Sequence, residues 1–266
     1  MNSDLVAWID GVGLLAPGIA DWPSGIEILA GRRPYQPAPT MLSAPAVLPP
    51  AERRRASRLV KAALSVGLEA VTGAGAAAAT LATVFTSSSG DGHNCHALCE
   101  TLASEDRQVS PTRFHNSVHN AAAGYWGIAT GAMAASQVLC AFDASFAAGL
   151  LEALAQASVA AMPILLVSYD AEYPEPIHPA RPVPDAAGIA LLLSPQAGPR
   201  SLARLAVRLD ETPATPMRLP VLESLRTDIP AMRGLPLLDL LARSAAGDVV
   251  LEYLAPLQLR AEVTPC

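Results

Sequence analysis

Short apolar runs bounded by breakers recur along the chain at 5–15 (LVAWIDGVGLL), 82–86 (ATVFT), 136–141 (SQVLCA), 163–169 (PILLVSY) and 188–193 (GIALLL). Continuous runs of this length predict strands buried on both faces. Helical spacing lies between several of them. In 52–71, Ala56, Leu59, Val60, Ala63, Gly67 and Ala70 recur at i, i+3 and i+4; in 145–158, Phe146, Leu150, Leu151 and Leu154 form a stripe beside Ala147, Ala148 and Gly149. The alternation predicts an α/β fold whose mixed, mostly parallel sheet is covered by helices. Towards the C-terminus, RLAVRLD (204–210) and LQLRAEV (257–263) alternate apolar and polar residues, as half-exposed antiparallel strands do. LEYLAPLQL, with Ala255-Pro256 at its centre, reads as a hairpin. The proline-rich segments 34–50 and 173–184 read as ordered surface loops, not linkers. The organisation expected is one domain over 1–266, with a core to residue 195 and a short β extension over 196–266.

Composition narrows the function classes. The 266 residues suffice to bury a sizeable core. Hydrophobic content of 51% against 16% charged residues is too apolar for disorder, yet no run approaches the ~18 apolar residues of a membrane span. The N-terminal stretch MNSDLVAWID has no basic region before its apolar run, so it does not read as a signal peptide, and a cytoplasmic protein is expected. A net charge of -6 argues against general nucleic-acid binding. Positive mean hydropathy, +0.31, without a membrane segment points to apolar surface buried against another subunit. Cys95, Cys99, Cys140 and Cys266 fit no disulfide framework, and Lys61 is the only lysine.

Each candidate for chemistry has a plain structural reading beside it. GHNCHALC (92–99) holds the zinc-ligand types His93, Cys95, His96 and Cys99, but no second ligand pair occurs elsewhere. It reads as the start of a helix after the SSSGDG turn (87–92), and no metal or cofactor is predicted. SSSGDG itself lacks GxGxxG and the Walker lysine, and no GxSxG occurs anywhere. Arg53, Arg54, Arg55, Arg58 and Lys61 crowd the first turns of the 52–71 helix, where cations oppose the dipole at ~0.3–1 kcal/mol each. They form either a solvated face or a site for an anionic partner. In HNSVHNAAAG (115–124), His115 and His119 read as histidines satisfied by backbone, with small residues allowing close helix packing. The corner Phe142-Asp143-Ala144-Ser145 joins a strand to a helix, the geometry that presents a nucleophile. Asp143 is well suited to be the N-cap of that helix, and Cys140, inside the strand, is expected to be a buried inert thiol.

Taken in order, these segments resemble the β-ketoacyl synthases of the thiolase superfamily. DGVGLLAPG (10–18) resembles their first strand and loop, and EILAGRRP (27–34) the helix that follows. SPTRFHNSVHNAAAG (110–124) is similar to their SP-x-F...N-x-x-AG segment, with Ser110, Pro111, Asn120, Ala123 and Gly124 in register. SQVLCAFDASFAAGLLEAL resembles the nucleophile elbow, T-A-C-x-S-G followed by a helix, and DAAGIALLLSP (185–195) the strand after it. The resemblance covers about residues 5–195 and implies a thiolase-like fold, one α/β/α half.

The departures are as informative. Counting back from Ser145 and the Glu152-Ala153 pair, the family cysteine falls on Asp143, and a carboxylate cannot carry the acyl thioester. Phe146 stands where the family has glycine. The family's catalytic histidines and lysine lie in its C-terminal half, whereas this chain has no histidine after residue 195 and no lysine after Lys61. The resemblance therefore implies a non-catalytic copy akin to chain-length factors, found in type II polyketide, aryl-polyene and fatty-acid-like biosynthesis and paired with an active β-ketoacyl synthase. On that reading Ser136, Gln137, Val138, Leu139 and Cys140 form a dimer edge strand. Phe114, Asn116, Val118, Asn120, Phe142, Asp143 and Phe146 face the partner or its acyl tunnel. Arg53, Arg54, Arg55 and Arg58 add to a docking face for an acyl carrier protein. Two alternatives stand: a thiol-dependent acyltransferase using Cys140 with His115 or His119, and a homodimeric carrier-protein scaffold.

Overall fold

The elements follow one another as β1 (Leu5–Leu15), α1 (Trp22–Leu29), α2 (Pro50–Arg55), α3 (Arg58–Ala74), β2 (Ala82–Thr86), α4 (Gly92–Ala103), α5 (Pro111–Asn116), α6 (Ala121–Thr130), β3 (Ser136–Leu139), α7 (Ser145–Ala160), β4 (Ile164–Asp170), β5 (Ala187–Ser194), β6 (Ala203–Asp210), α8 (Glu223–Asp228), α9 (Leu235–Ala242), β7 (Gly247–Leu251) and β8 (Gln258–Pro265). This is a computed structural model, and it describes residues 4–266. All eight strands join one sheet in the order β3-β2-β4-β5-β1-β6-β8-β7. The strands expected from the apolar runs are all present, and the hairpin around Ala255-Pro256 is the β7–β8 pair.

Mostly parallel pairing, however, does not hold. β2 pairs in parallel with β3 and β4, while the other five pairings are antiparallel. An apolar run buried on both faces looks the same whichever way the strand points. Direction is set by the connections, and β4 returns to β5 through the loop 171–186 without a crossover helix.

Alternate residues of the central strands divide the core in two. Leu166 and Leu191 face a layer made by α7 and the C-terminal helices, with Phe146, Leu150, Leu235 and Leu238. Leu165, Val167 and Leu192 face α3 and α6, with Leu64, Phe85 and Trp126. Full burial of a side chain of this kind contributes about 1.5–3 kcal/mol, so both layers are needed. On the α3 side the helix lies almost on the sheet: a Cβ at Gly13 would meet the Val66 carbonyl oxygen at 1.9 Å.

The expected 52–71 helix is two helices. Ser57 leaves the helical path and its Oγ accepts from Val60 N, capping α3, so Arg53, Arg54 and Arg55 fall in the last turn of α2. There the dipole favours cations, which removes the penalty assigned to them from the sequence.

Residues 196–266 extend the same sheet beyond β1 and pack α8 and α9 beneath it. The sheet's two edges differ. At β7, Thr215 N donates to the Val250 carbonyl and Val250 N to Thr215 Oγ1, each at 2.8 Å. At β3, Thr83 N donates to the Ala135 carbonyl at 3.0 Å, and the register sets Thr83 against Ser136 and Phe85 against Val138. That alternation turns the N–H and C=O of Ser136 and Val138 outward, away from β2. Among the described residues, no helix is long and apolar enough to cross a membrane.

Candidate functional site

β3 ends at Leu139, a 3-10 turn covers Phe142–Ala144, and α7 begins at Ser145. Ser145 Oγ accepts from Ala141 N at 3.0 Å and donates to the Phe142 carbonyl at 2.7 Å, locking the turn. Thr86 Oγ1 donates to the Ser145 carbonyl at 2.9 Å, fixing the corner to the sheet. Phe142 has a φ of 52°, a left-handed conformation that costs a non-glycine residue ~1–3 kcal/mol. A strained strand–turn–helix elbow is therefore present. Its left-handed apex is Phe142, one residue before the position reached by counting.

Asp143 is not the N-cap. Ala144 holds that position with no side-chain capping bond, and the Asp143 carboxylate turns instead to two arginines. Arg181 Nη2 donates to Oδ1 at 2.5 Å, and Arg233 Nη2 lies 3.4 Å from Oδ2. The bond to Arg181 is charge-assisted and therefore short and strong. Arg181 also lies over the Phe142 ring, with Cζ 3.8 Å from the centroid. From Arg233 the ion pairs continue to Glu252, then to Arg226 at 3.0 Å, then to Glu223 at 2.5 Å. Three arginines and three carboxylates balance, and the ladder binds the corner to the C-terminal extension.

A second tie runs behind the corner. Asp170, 2% exposed at the end of β4, accepts from Ser88 N (2.8 Å), Ser88 Oγ (2.7 Å), Ser87 Oγ (3.2 Å) and Ala231 N (2.9 Å). Burial pushes its carboxyl up to about 6, against the downward pull of those hydrogen bonds. Cys140 lies past the strand and is exposed, not buried; its Sγ donates to the Ser88 carbonyl at 2.9 Å. That bond runs to Ser88, not to His115 or His119; the His119 ring packs beside Gly90.

The residues expected to face a partner separate into two groups. Phe114, Val118, Asn120 and Phe142 are exposed. Asn116 is buried: its Nδ2 donates to the Arg55 carbonyl at 3.1 Å and its Oδ1 accepts from Tyr125 at 3.2 Å. Phe146 is fully buried against Gly234. Neither presents a side chain to a partner, because each completes this chain's own interior. In the basic cluster, Arg53 donates to the carbonyls of Ala46 and Leu48, and Arg58 pairs with Glu172 at 2.7 Å and Asp185 at 2.5 Å. Arg54 and Arg55 are exposed, the latter paired with Glu52 at 3.3 Å. The cavity at the corner, 380 Å³, is lined by Asp143, Arg181, Pro182, Val183, Thr227, Asp228 and Pro230. None of these is a thiol, hydroxyl–histidine pair or other acyl-accepting nucleophile with a base.

A half-ketosynthase sheet with an elbow at its edge defines the class, and comparison with known proteins bears it out. A family model described as the β-ketoacyl synthase, N-terminal domain, matches residues 30–227, and the chain belongs to that family. No curated protein sequence matches the chain. Among solved structures it is similar to a chain of the ketosynthase (ApeO) in complex with its chain length factor (ApeC) from Xenorhabdus doucetiae. The TM-score is 0.74 at 23% identity, over 97% of this chain and 99% of that one. The ishigamide ketosynthase/chain length factor gives a TM-score of 0.72 at 16% identity, over 98% and 99%. A type II acyl-carrier-protein–ketosynthase complex, AntDE:AntF, gives 0.73 at 10% identity over the full length of both chains. These likenesses establish the thiolase-like ketosynthase fold.

Proposed function

We propose that this chain is a non-catalytic, chain-length-factor-like subunit. It pairs with an active β-ketoacyl synthase and shapes the acyl tunnel during type II polyketide, aryl-polyene or fatty-acid-like chain elongation. The observation that carries this reading is the occupancy of the elbow: its apex is an aromatic ring, and the next residue is a carboxylate held by two arginines. Solved structures of the same fold described as ketosynthase/chain length factor complexes support it.

Pairing takes place along β3, whose outward N–H and C=O groups at Ser136 and Val138 meet a partner strand. Phe114 and Val118, exposed on and after α5, set tunnel depth as a steric ruler, with Asn120 and Asp143 contributing to the partner-facing surface. Arg54 and Arg55 contribute to the docking of an acidic acyl carrier protein. The rival reading, acyl transfer by Cys140, takes some support from that thiol's exposure. Acyl loading of the purified chain, alone and with its ketosynthase, followed by intact mass, tests both. Label on the ketosynthase alone is expected. Label on this chain that disappears in Cys140→Ala would overturn the proposal, and a chain that stays a free homodimer beside its ketosynthase would favour the scaffold.

A further inference from the structure

Phe142 combines three features seldom found together in a surface aromatic. Its backbone is left-handed, the residue is 58% exposed, and an arginine lies over the ring. The same arginine, Arg181, is fixed by its bond to Asp143, and Asp143 is fixed in turn by Arg233. A phenyl ring held this firmly towards solvent loses little freedom on binding. Rigid aromatics of this kind dominate the energetics of protein interfaces.

The ring's position says what it meets. Phe142 lies three residues beyond Leu139, the last residue of the open edge strand. When two edge strands pair antiparallel about a two-fold-like axis, the corner after one strand falls against the start of the other. On this chain the approach to β3 is an apolar groove of 560 Å³ whose lining includes Ala134, Ala135, Val159 and Met162. A ketosynthase subunit of the same fold presents the corresponding place to Phe142.

We infer that Phe142 is an anchor of the interface with the ketosynthase subunit, seated against the start of that subunit's edge strand, and that Arg181 is the positioning residue that aims it. The inference rests on the proposed pairing along β3 and adds to it the side chain that fixes affinity.

Phe142→Gly tests it, because glycine accepts a φ of 52° without strain, so the free chain keeps its fold and melts no lower than the parent. Binding to the ketosynthase, measured by titration of the purified subunits, is expected to weaken at least tenfold. Arg181→Ala is expected to weaken binding several-fold, and Phe142→Gly/Arg181→Ala to bind no more weakly than Phe142→Gly alone, since Arg181 acts through the ring. Val138→Pro removes an outward N–H from the edge while sparing the ladder to β2 and is expected to disrupt the complex. Unchanged affinity in Phe142→Gly together with loss in Val138→Pro would overturn the anchor and leave the edge pairing intact. Unchanged affinity in both, or no complex with the parent chain, would overturn the pairing and the anchor with it.

Discussion

The ring of Phe146 fills the space above the α-carbon of Gly234, so a methyl group added there would lie 2.2 Å from the ring's Cζ and 2.5 Å from Cε2. Phe146 is in the first turn of α7, and Gly234 closes the 3-10 turn Pro230–Gly234 in the C-terminal extension. Their contact makes the extension part of the corner's support. Gly234→Ala is expected to destabilise the chain by about 3 kcal/mol, at the upper end for overpacked cores. Pairing it with Phe146→Leu should return part of that loss, because the two sites share one space. Denaturant midpoints of the three variants check it; an unshifted Gly234→Ala midpoint would show that the extension does not pack this tightly.

Asp170 should make stability depend on pH in a direction opposite to most carboxylates. Its folded pKa, about 6, lies above the ordinary 3.8. The folded state therefore holds the proton more tightly, and the contribution is full below about pH 4 and is lost as pH rises through 6. The span corresponds to ~3 kcal/mol. The stability difference between the parent and Asp170→Asn is expected to be most favourable to the parent at pH 4 and to level off above pH 6.5. A difference that stayed flat across this range would mean that Asp170 titrates normally.

Restoring a thiol should not restore chemistry. Phe142→Cys places sulfur at the strained apex and Asp143→Cys at the position reached by counting, yet no histidine follows residue 195 to activate either one. Neither variant is expected to take up acyl label above background from an acyl carrier protein. Stoichiometric labelling of either by intact mass would return this chain to the enzymes.

Removing the middle carboxylate of the ion-pair ladder should be costly. Glu252→Ala leaves Arg233 without its closest partner and Arg226, 7% exposed, with Glu223 alone. Unpairing buried charge costs 3–5 kcal/mol; because Glu252 keeps part of its surface, about 2 kcal/mol is expected. The loss should shrink little in 0.5 M salt, which screens surface pairs far more than buried ones. A loss that salt abolishes would place the ladder at the surface.

Strand positions were legible because each is a short apolar run with breakers at its ends, as in 82–86 and 163–169. Strand direction was not, since Leu191 and Leu192 are buried on opposite faces whether β5 runs up or down. Part of the site was equally visible: the corner announced itself at Phe142–Ser145, but its partners did not. Arg181 lies in the proline-rich segment 173–184 and Arg233 in the turn just before the apolar helix α9, and no spacing links either to residue 143. A lone charge inside an apolar stretch, as at AMRGLPLL or at the end of PILLVSYD, was the signal available for Arg233 and Asp170. The break before α3 was readable too, since Ser57 is a favoured capping residue.

The bonds between Thr215 and Val250 occupy the outward N–H and C=O of one residue at the far edge of the sheet, while Ser136 and Val138 turn theirs outward at the near edge. A sheet with two free ends is bivalent and can add copies without limit, as fibres do. In this one Thr215 lies across the far edge at Val250, so a strand added there would have to displace it. The two ends are therefore unequal, and a joining strand meets least competition at β3.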